Sequence, residues 1–173
     1  MIKGEAMTIV LADTSVVINL AYIDRLDLLG ALHGYRFRVP EEVAAEVRRP
    51  EQHRLLQEAL KAGYLEEERL SGVLALQRFD ALRKILGAGE SACLALAATH
   101  GWAVACDEKG VCRREALRLL GNDRLLTTPA LFVLAIRQGY WTMMEADHAK
   151  QVLEQNRFRM GFSSFHDLMR RKG

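Results

Sequence analysis

The sequence predicts a three-layer α/β protein, in which a central parallel sheet carries helices on both faces. Two runs of apolar residues, 8–12 and 102–106, have the length and composition of buried strands. The segments that follow them place apolar residues at helical spacing, and strands that alternate with helices are typical of a parallel sheet. The chain has 173 residues, of which 50% are hydrophobic, so we expect a single domain with a substantial core.

The strands and helices can be placed in order along the chain. The predicted strands cover residues 8–12, 36–39, 64–70, 102–106 and 124–127. The predicted helices cover residues 14–21, 26–29, 40–47, 52–62, 73–86, 90–98, 108–120, 128–137 and 145–156. Pro40 suits the first position of a helix, whereas Gly63 and Gly121 suit the ends of helices.

Three expectations about packing follow from these assignments. The helix over residues 90–98 is apolar on nearly all sides, which predicts burial on more than one face. The first strand is expected at the centre of the sheet, and residues 64–70 at an edge. The candidate core positions of the helix over residues 73–86 are Val73, Leu76, Leu82 and Ile85.

Four acidic residues occupy positions that such a fold can bring together. Asp13 and Asp107 directly follow the two predicted buried strands, Glu46 lies in the helix after Pro40, and Glu90 begins an apolar helix. Ligands of parallel sheets bind beyond the carboxyl ends of the strands, which is where Asp13 and Asp107 are expected. Clustered carboxylates repel one another unless a cation lies among them, and oxygen ligands favour Mg²⁺ or Mn²⁺ over Zn²⁺. Asp13, Glu90 and Asp107 are therefore the candidate metal ligands.

Each acid, taken alone, also has a structural explanation. Asp13 and Asp107 precede helices and could cap them. Glu46 could pair with Arg49 on a solvated face, and Glu90 is favoured near a helix start by the helix dipole. The joint pattern, and not any single residue, favours a metal site.

The basic residues indicate two candidate surfaces for nucleic acid. The net charge is only +2, from 24 basic and 22 acidic residues, so composition alone does not identify a partner. Arg113, Arg114 and Arg118 could bind phosphates, although a solvated helix face explains them almost as well. The last 17 residues mix arginines with phenylalanines, which could stack on bases or pack on the domain.

Several classes of protein and site are disfavoured. Three cysteines without paired Cys/His spacing argue against a disulfide framework and a zinc site, and for a reducing compartment. Cys93 and Cys106 lie in apolar runs and are expected to be small core residues. No apolar run approaches the roughly 20 residues that cross a bilayer, and the amino terminus lacks a signal peptide. A cytoplasmic protein without a membrane partner is expected.

The order of these motifs resembles the PIN-domain nucleases, the family that includes the VapC-like toxin ribonucleases of VapBC-type toxin–antitoxin pairs. The matching pieces are Ala-Asp-Thr-Ser at residues 12–15, the helix from Pro40 to Glu46, Gly-Glu-Ser-Ala at 89–92, and Cys-Asp-Glu at 106–108. The resemblance covers residues 8–140 as a PIN-like nuclease domain. Residues 141–173 are then a helical and basic extension of the same domain.

The resemblance implies an endoribonuclease that depends on Mg²⁺ or Mn²⁺. Its acidic cluster would be Asp13, Glu46, Glu90 and Asp107, with Ser15 as a helper that holds a water or an acid. The expected partners are RNA, a cognate antitoxin protein and a second copy of the chain. The family pattern has a further downstream acid, for which the candidates here are Glu108 and Asp123.

Two other functions stay open from the sequence. One is a catalytically silent PIN-like module that binds RNA or a protein. The other is a structure-specific DNA nuclease, from which the sequence offers no feature to distinguish an RNA nuclease.

Overall fold

A computed structural model describes residues 6–171, in which five strands form one parallel sheet. The strands are β1 (Thr8–Ala12), β2 (Tyr35–Pro40), β3 (Glu66–Glu68), β4 (Ala103–Ala105) and β5 (Leu125–Leu126). Their order across the sheet is β3-β2-β1-β4-β5, so β1 is central and β3 lies at an edge, as predicted. Residues 1–5 and Lys172 of the basic segment lie outside the described residues.

Helices cover both faces of this sheet. They are α1 (Thr14–Tyr22), α2 (Asp27–Ala31), α3 (Glu41–Glu46), α4 (Pro50–Ala62), α5 (Val73–Leu82), α6 (Ala88–His100), α7 (Gly110–Leu120), α8 (Thr128–Arg137), α9 (Met143–Gln155) and α10 (Phe165–Arg171). Helix α6 packs on β1, β2 and β4 and contacts α5 and α7, whereas α1 contacts α4 and α8. The predicted three-layer α/β/α class is confirmed. Among residues 6–171, no helix has both the length and the apolar character needed to cross a membrane.

The sheet topology brings the ends of β1 and β4 together. Strand β1 pairs in parallel with β2 on one side and with β4 on the other. The chain runs outward from β1 through β2 to β3, then returns to the other side of β1 as β4. The strand order therefore reverses between β1 and β4, which is the usual position of a ligand crevice in such sheets. Asp13 and Asp107 follow these two strands.

The apolar composition of the central elements matches their burial. Val10, Leu11 and Ala12 of β1 have no exposed surface, and α6 buries every residue from Ser91 to Ala97. Small side chains on α6 allow this helix to lie close to both the sheet and its neighbouring helices. The predicted burial of this helix on more than one face is confirmed.

Three of the four core positions predicted for the helix over residues 73–86 are wrong, and the helix itself, α5, ends at Leu82. Val73, Leu76 and Ile85 are 74%, 45% and 54% exposed, whereas Leu82 is buried. Helix α5 packs against α6 through a stripe that combines Leu82 with the smaller Ala75, so the larger apolar side chains stay outside. The predicted start of the helix over residues 40–47 also differs. Pro40 is the last residue of β2, and α3 begins at the next residue, Glu41.

Candidate active site

Asp13 is a buried carboxylate at the carboxyl end of the central strand, with 2% of its surface exposed. Its Oδ2 atom accepts hydrogen bonds from Ser15 Oγ at 3.2 Å and from the Cys106 thiol at 3.4 Å. Its Oδ1 atom is buried and has no hydrogen-bond partner among the described residues. The side chain does not cap α1, so the capping explanation of Asp13 does not hold.

The electrostatic environment of Asp13 disfavours its charge. Burial, together with a smaller contribution from the charge of Glu90, raises the pKa of this carboxyl group to about 6. The nearby Thr14 amide, the Cys106 thiol and the Ser15 hydroxyl act in the opposite direction and lower this pKa. An ionised Asp13 therefore lacks compensation, which a bound cation would supply.

Glu46 is fixed between α1 and α6. Its Oε2 atom accepts a hydrogen bond from Thr14 Oγ1 at 2.5 Å, and its Oε1 atom accepts from the Gly89 amide at 2.9 Å. A Cβ atom at Gly89 would lie only 2.6 Å from Glu46 Oε2, so a glycine is needed there. These contacts hold Glu46 at the site, and among the described residues the alternative pairing with Arg49 is not formed.

Glu90 lies in the first turn of α6, where its Oε2 atom accepts a hydrogen bond from the Gly87 amide at 3.2 Å. Asp13, Glu46, Glu90 and Glu108 line one pocket of about 440 Å³. Burial and the charges of Glu90 and Asp107 raise the pKa of Glu108. The pocket thus concentrates negative charge at the edge of the sheet where it was expected.

Asp107 borders an adjoining pocket of about 300 Å³, which shares Ser15 and Glu108 with the first. Its Oδ1 atom accepts from the Thr128 amide at 2.8 Å, and its Oδ2 atom accepts from Thr128 Oγ1 at 2.5 Å and from Asn19 Nδ2 at 2.9 Å. Burial raises the pKa of Asp107, and these hydrogen bonds oppose that effect. About four acceptor sites exist on a carboxylate, so one stays available for a cation or a water.

The donor set of the acidic pocket fits a hard divalent cation. Within residues 6–171, no three His, Cys, Asp or Glu side chains are already arranged around a single point in the manner of a formed metal centre. The fit rests instead on the unpaired, buried Oδ1 atom of Asp13 and on the carboxylates of Glu46, Glu90 and Glu108 beside it. All of these are oxygen donors, the type that Mg²⁺ and Mn²⁺ prefer.

Sequence reasoning missed three side chains that hold the acids in place. Cys106, which we expected to be a small core residue, donates to Asp13 and lies 3.9 Å from Cys112. Asn19 and Thr128 both donate to Asp107. Asn19 lies four residues after Ser15 on α1, and this helical spacing could have identified it as a residue on the same face.

The two candidates for a further acid lie at opposite edges of the sheet. Glu108 lines the acidic pocket, as described above. Asp123 precedes β5 within a 3-10 turn and therefore lies at the amino end of the strands, away from the pocket. Only Glu108 is placed to take part in the site.

The arginines of α7 lie outside the lining of both pockets. Arg118 forms an ion pair with Glu115 at 2.7 Å, and Arg114 approaches the same carboxylate at 4.0 Å. Arg113 is exposed. Their expected role in binding nucleic acid stays a prediction.

A larger cavity than the acidic pocket lies elsewhere in the structure. It measures about 670 Å³ and lies between the end of α1 and α9, with Tyr22, Trp141 and Met144 in its lining. None of the clustered acids lines it. Cavity size alone would therefore direct attention away from the pocket that four carboxylates line.

Comparison with known proteins agrees with the architecture and the motifs. The family model DUF3368, described as a PIN domain, matches residues 9–171. No curated protein matches the chain. A solved structure that resembles the chain is the crystal structure of VapBC2 from Rickettsia felis bound to a DNA fragment from their promoter. The matching chain is 16% identical in sequence, and the TM-score is 0.48. The match covers 69% of this chain and 97% of that chain. Because the family model spans nearly the whole sequence, including all four acids, the chain belongs to the PIN-domain family DUF3368.

Proposed function

We propose that this protein is an endoribonuclease that depends on Mg²⁺ or Mn²⁺. The observation that carries the proposal is the buried Asp13 carboxylate, whose Oδ1 atom lacks a partner in a pocket with three other carboxylates. Such an arrangement costs free energy unless a cation compensates the charge. Membership of the PIN-domain family supports a nuclease as the function of this site.

In this proposal the acids have different roles. Asp13 and Glu90 hold the cation, and Asp107 contributes through its remaining acceptor site. A bound cation would supply Lewis-acid chemistry here, through activation of a water molecule and stabilisation of the charge that develops on the scissile phosphate. Ser15 orients Asp13, while Glu46 joins α1 to the start of α6 and adds negative charge to the pocket.

The partners are also part of the proposal. We propose that the protein acts as the toxin of a toxin–antitoxin pair, with an antitoxin protein that blocks the acidic pocket, and that it forms a homodimer. The family resemblance described from the sequence supports this assignment. Co-expression with the product of the neighbouring reading frame should abolish cleavage, and light scattering should give the mass of a dimer.

The direct test is cleavage of single-stranded RNA by the purified protein. The wild type should cut RNA with Mg²⁺ or Mn²⁺ and should stop when a chelator is added. Asp13→Asn should lose activity by a factor on the order of 100 or more while it remains folded. Cleavage that survives this change would contradict the proposed site. Binding of a cation without cleavage of any RNA or DNA would favour the silent module.

A further inference from the structure

The pocket beside Asp107 is lined in part by the chain segment that follows α9. Asn156, Arg157 and Phe158 form one side of this pocket. Ser15, Ile18 and Glu108 line both this pocket and the acidic one, so the two are continuous. Among the described residues that line either pocket, Arg157 is the only one with a positive charge. The Arg157 side chain thus places a positive charge beside a site that is otherwise acidic.

The backbone of Arg157 is in a conformation that usually belongs to glycine. Its φ angle is 66°, and the helix end is closed by hydrogen bonds from the Phe158 amide to Leu153 O at 3.1 Å and from the Arg157 amide to Glu154 O at 3.2 Å. This pattern strongly favours glycine at the left-handed position, because a Cβ atom is unfavourable there.

Three other helices of the chain follow that rule. Gly63 after α4, Gly101 after α6 and Gly139 after α8 have φ angles of 76°, 72° and 76°. Asp24 after α1, with φ 53°, is the other exception, and aspartate tolerates this conformation better than most residues. An arginine in the corresponding position after α9 costs local stability, and a strained position of this kind is a reason to look for a function of the side chain.

The Arg157 side chain is available for a ligand. It is exposed, and within residues 6–171 it forms no side-chain hydrogen bond or ion pair. Arg118 on α7, in contrast, is already paired with Glu115. A guanidinium group binds phosphate oxygens through two parallel hydrogen bonds, and the half-buried ring of Phe158 next to it could stack on a base.

We propose that Arg157 binds a backbone phosphate of the RNA substrate beside the scissile one, so that the segment after α9 forms one wall of the substrate path. The inference rests on the proposed nuclease function of the acidic pocket. It assigns substrate binding to a residue of the segment between α9 and α10. In this role Arg157 positions the strand and takes no part in the bond cleavage itself.

Exchange of Arg157 for glycine tests RNA binding by the side chain without a loss of protein stability. Arg157→Gly removes the charge and relieves the backbone, so the melting temperature should stay equal or rise. Arg159→Ala is the matched control, because Arg159 is also exposed, lies two residues further on, and lines neither pocket. Arg157→Lys retains a positive charge and should retain part of the affinity.

The measurement is the binding of a labelled single-stranded RNA of mixed sequence, with a chelator present to prevent cleavage. For Arg157→Gly we expect weaker binding on every sequence tested, and a plot of log affinity against log salt whose slope is smaller by about 0.7. With Mg²⁺ or Mn²⁺, KM should rise while kcat stays near the wild-type value. Arg159→Ala should match the wild type in both experiments.

Two failures can be told apart. If the wild type cleaves RNA but Arg157→Gly binds and cleaves it as well as Arg159→Ala does, the role of Arg157 is wrong and the proposed function stands. If the wild type neither binds nor cleaves RNA, the proposed function and this inference are both wrong.

Discussion

Asp13 and Asp107, which end the two central strands, are joined by a single hydroxyl group. Ser15 Oγ donates to Asp13 Oδ2 at 3.2 Å and accepts from the Asp107 amide at 3.1 Å. This hydroxyl therefore couples the Asp13 carboxylate to the backbone of Asp107. The contact also occupies Oδ2 of Asp13 and leaves Oδ1 for another ligand.

Ser15→Ala should therefore weaken the cation site without unfolding the protein. Loss of a group that orients a metal ligand typically lowers metal affinity or activity by about 10–100-fold. Titration with Mn²⁺, followed by the melting temperature, would measure the change in affinity. Ser15→Thr retains the hydroxyl group and should lose less of its affinity for Mn²⁺. Equal Mn²⁺ affinity in the alanine variant and the wild type would show that Ser15 does not orient Asp13.

The stability of the metal-free protein should depend on the charge of Asp13. The pKa of Asp13 in the folded protein is raised to about 6 from 3.8, so the folded state binds the proton more tightly than the unfolded chain. This contribution is present in full below the unfolded pKa and is lost as pH rises through about 6. In chelator, wild type should lose about 2 kcal/mol relative to Asp13→Asn between pH 4 and pH 7.

In chelator at neutral pH the wild type should be less stable than Asp13→Asn, and Mn²⁺ should make it the more stable of the two. A cation that binds only the folded state stabilises the wild type by mass action, by about 2.7 kcal/mol at a concentration 100 times its Kd. Asp13→Asn should gain less. Denaturant unfolding of both proteins, with chelator and with Mn²⁺ at each pH, measures the two effects together. Identical Mn²⁺ shifts in both proteins would contradict a site at Asp13.

Gly89→Ala should disrupt the contact between α6 and Glu46. The added Cβ atom would lie 2.6 Å from Glu46 Oε2 and 3.0 Å from Thr14 Oγ1, so the carboxylate must move. We expect a loss of about 1–3 kcal/mol in the free energy of unfolding and a large loss of cleavage activity. Gly87→Ala is the control, since its Cβ atom meets its nearest neighbours at 3.8 Å and 3.9 Å, which are ordinary contacts. Similar losses in both variants would mean that crowding of Glu46 is not the cause.

The sequence was sufficient for the architecture and for the position of the acids. A short apolar run predicts a buried strand, and an acid directly after it must lie at the carboxyl edge of a parallel sheet. This reasoning placed Asp13 and Asp107 correctly at that edge. The hydrogen bond from the Gly89 amide to Glu46 could not be predicted in this way. The two residues are 43 positions apart, and their contact depends on how α3 and α6 pack.

Residue type misled the interpretation at Cys106 and in α5. Cysteine in an apolar run is usually a core residue, yet Cys106 comes just after the last residue of β4, at the edge where polar groups collect. In α5 the large apolar residues suggested a core face, whereas the helix packs through a stripe that includes the small residue Ala75. In both cases the burial of the side chain depends on tertiary packing, which the spacing of residues in the sequence does not predict.

Cys106 offers a last test of how Asp13 is held. Its thiol donates to Asp13 Oδ2 at 3.4 Å, and contact with Cys112 together with burial raises the pKa of Cys106, so the thiol stays protonated. Cys106→Ser retains a donor, whereas Cys106→Val retains the approximate volume without one. We expect the valine variant to bind Mn²⁺ on the order of 10-fold more weakly than the wild type, and the serine variant to stay close to it. Thermal shifts across a Mn²⁺ titration measure both. If serine and valine weaken Mn²⁺ binding equally, the cysteine acts through packing, and the donor to Asp13 is not needed.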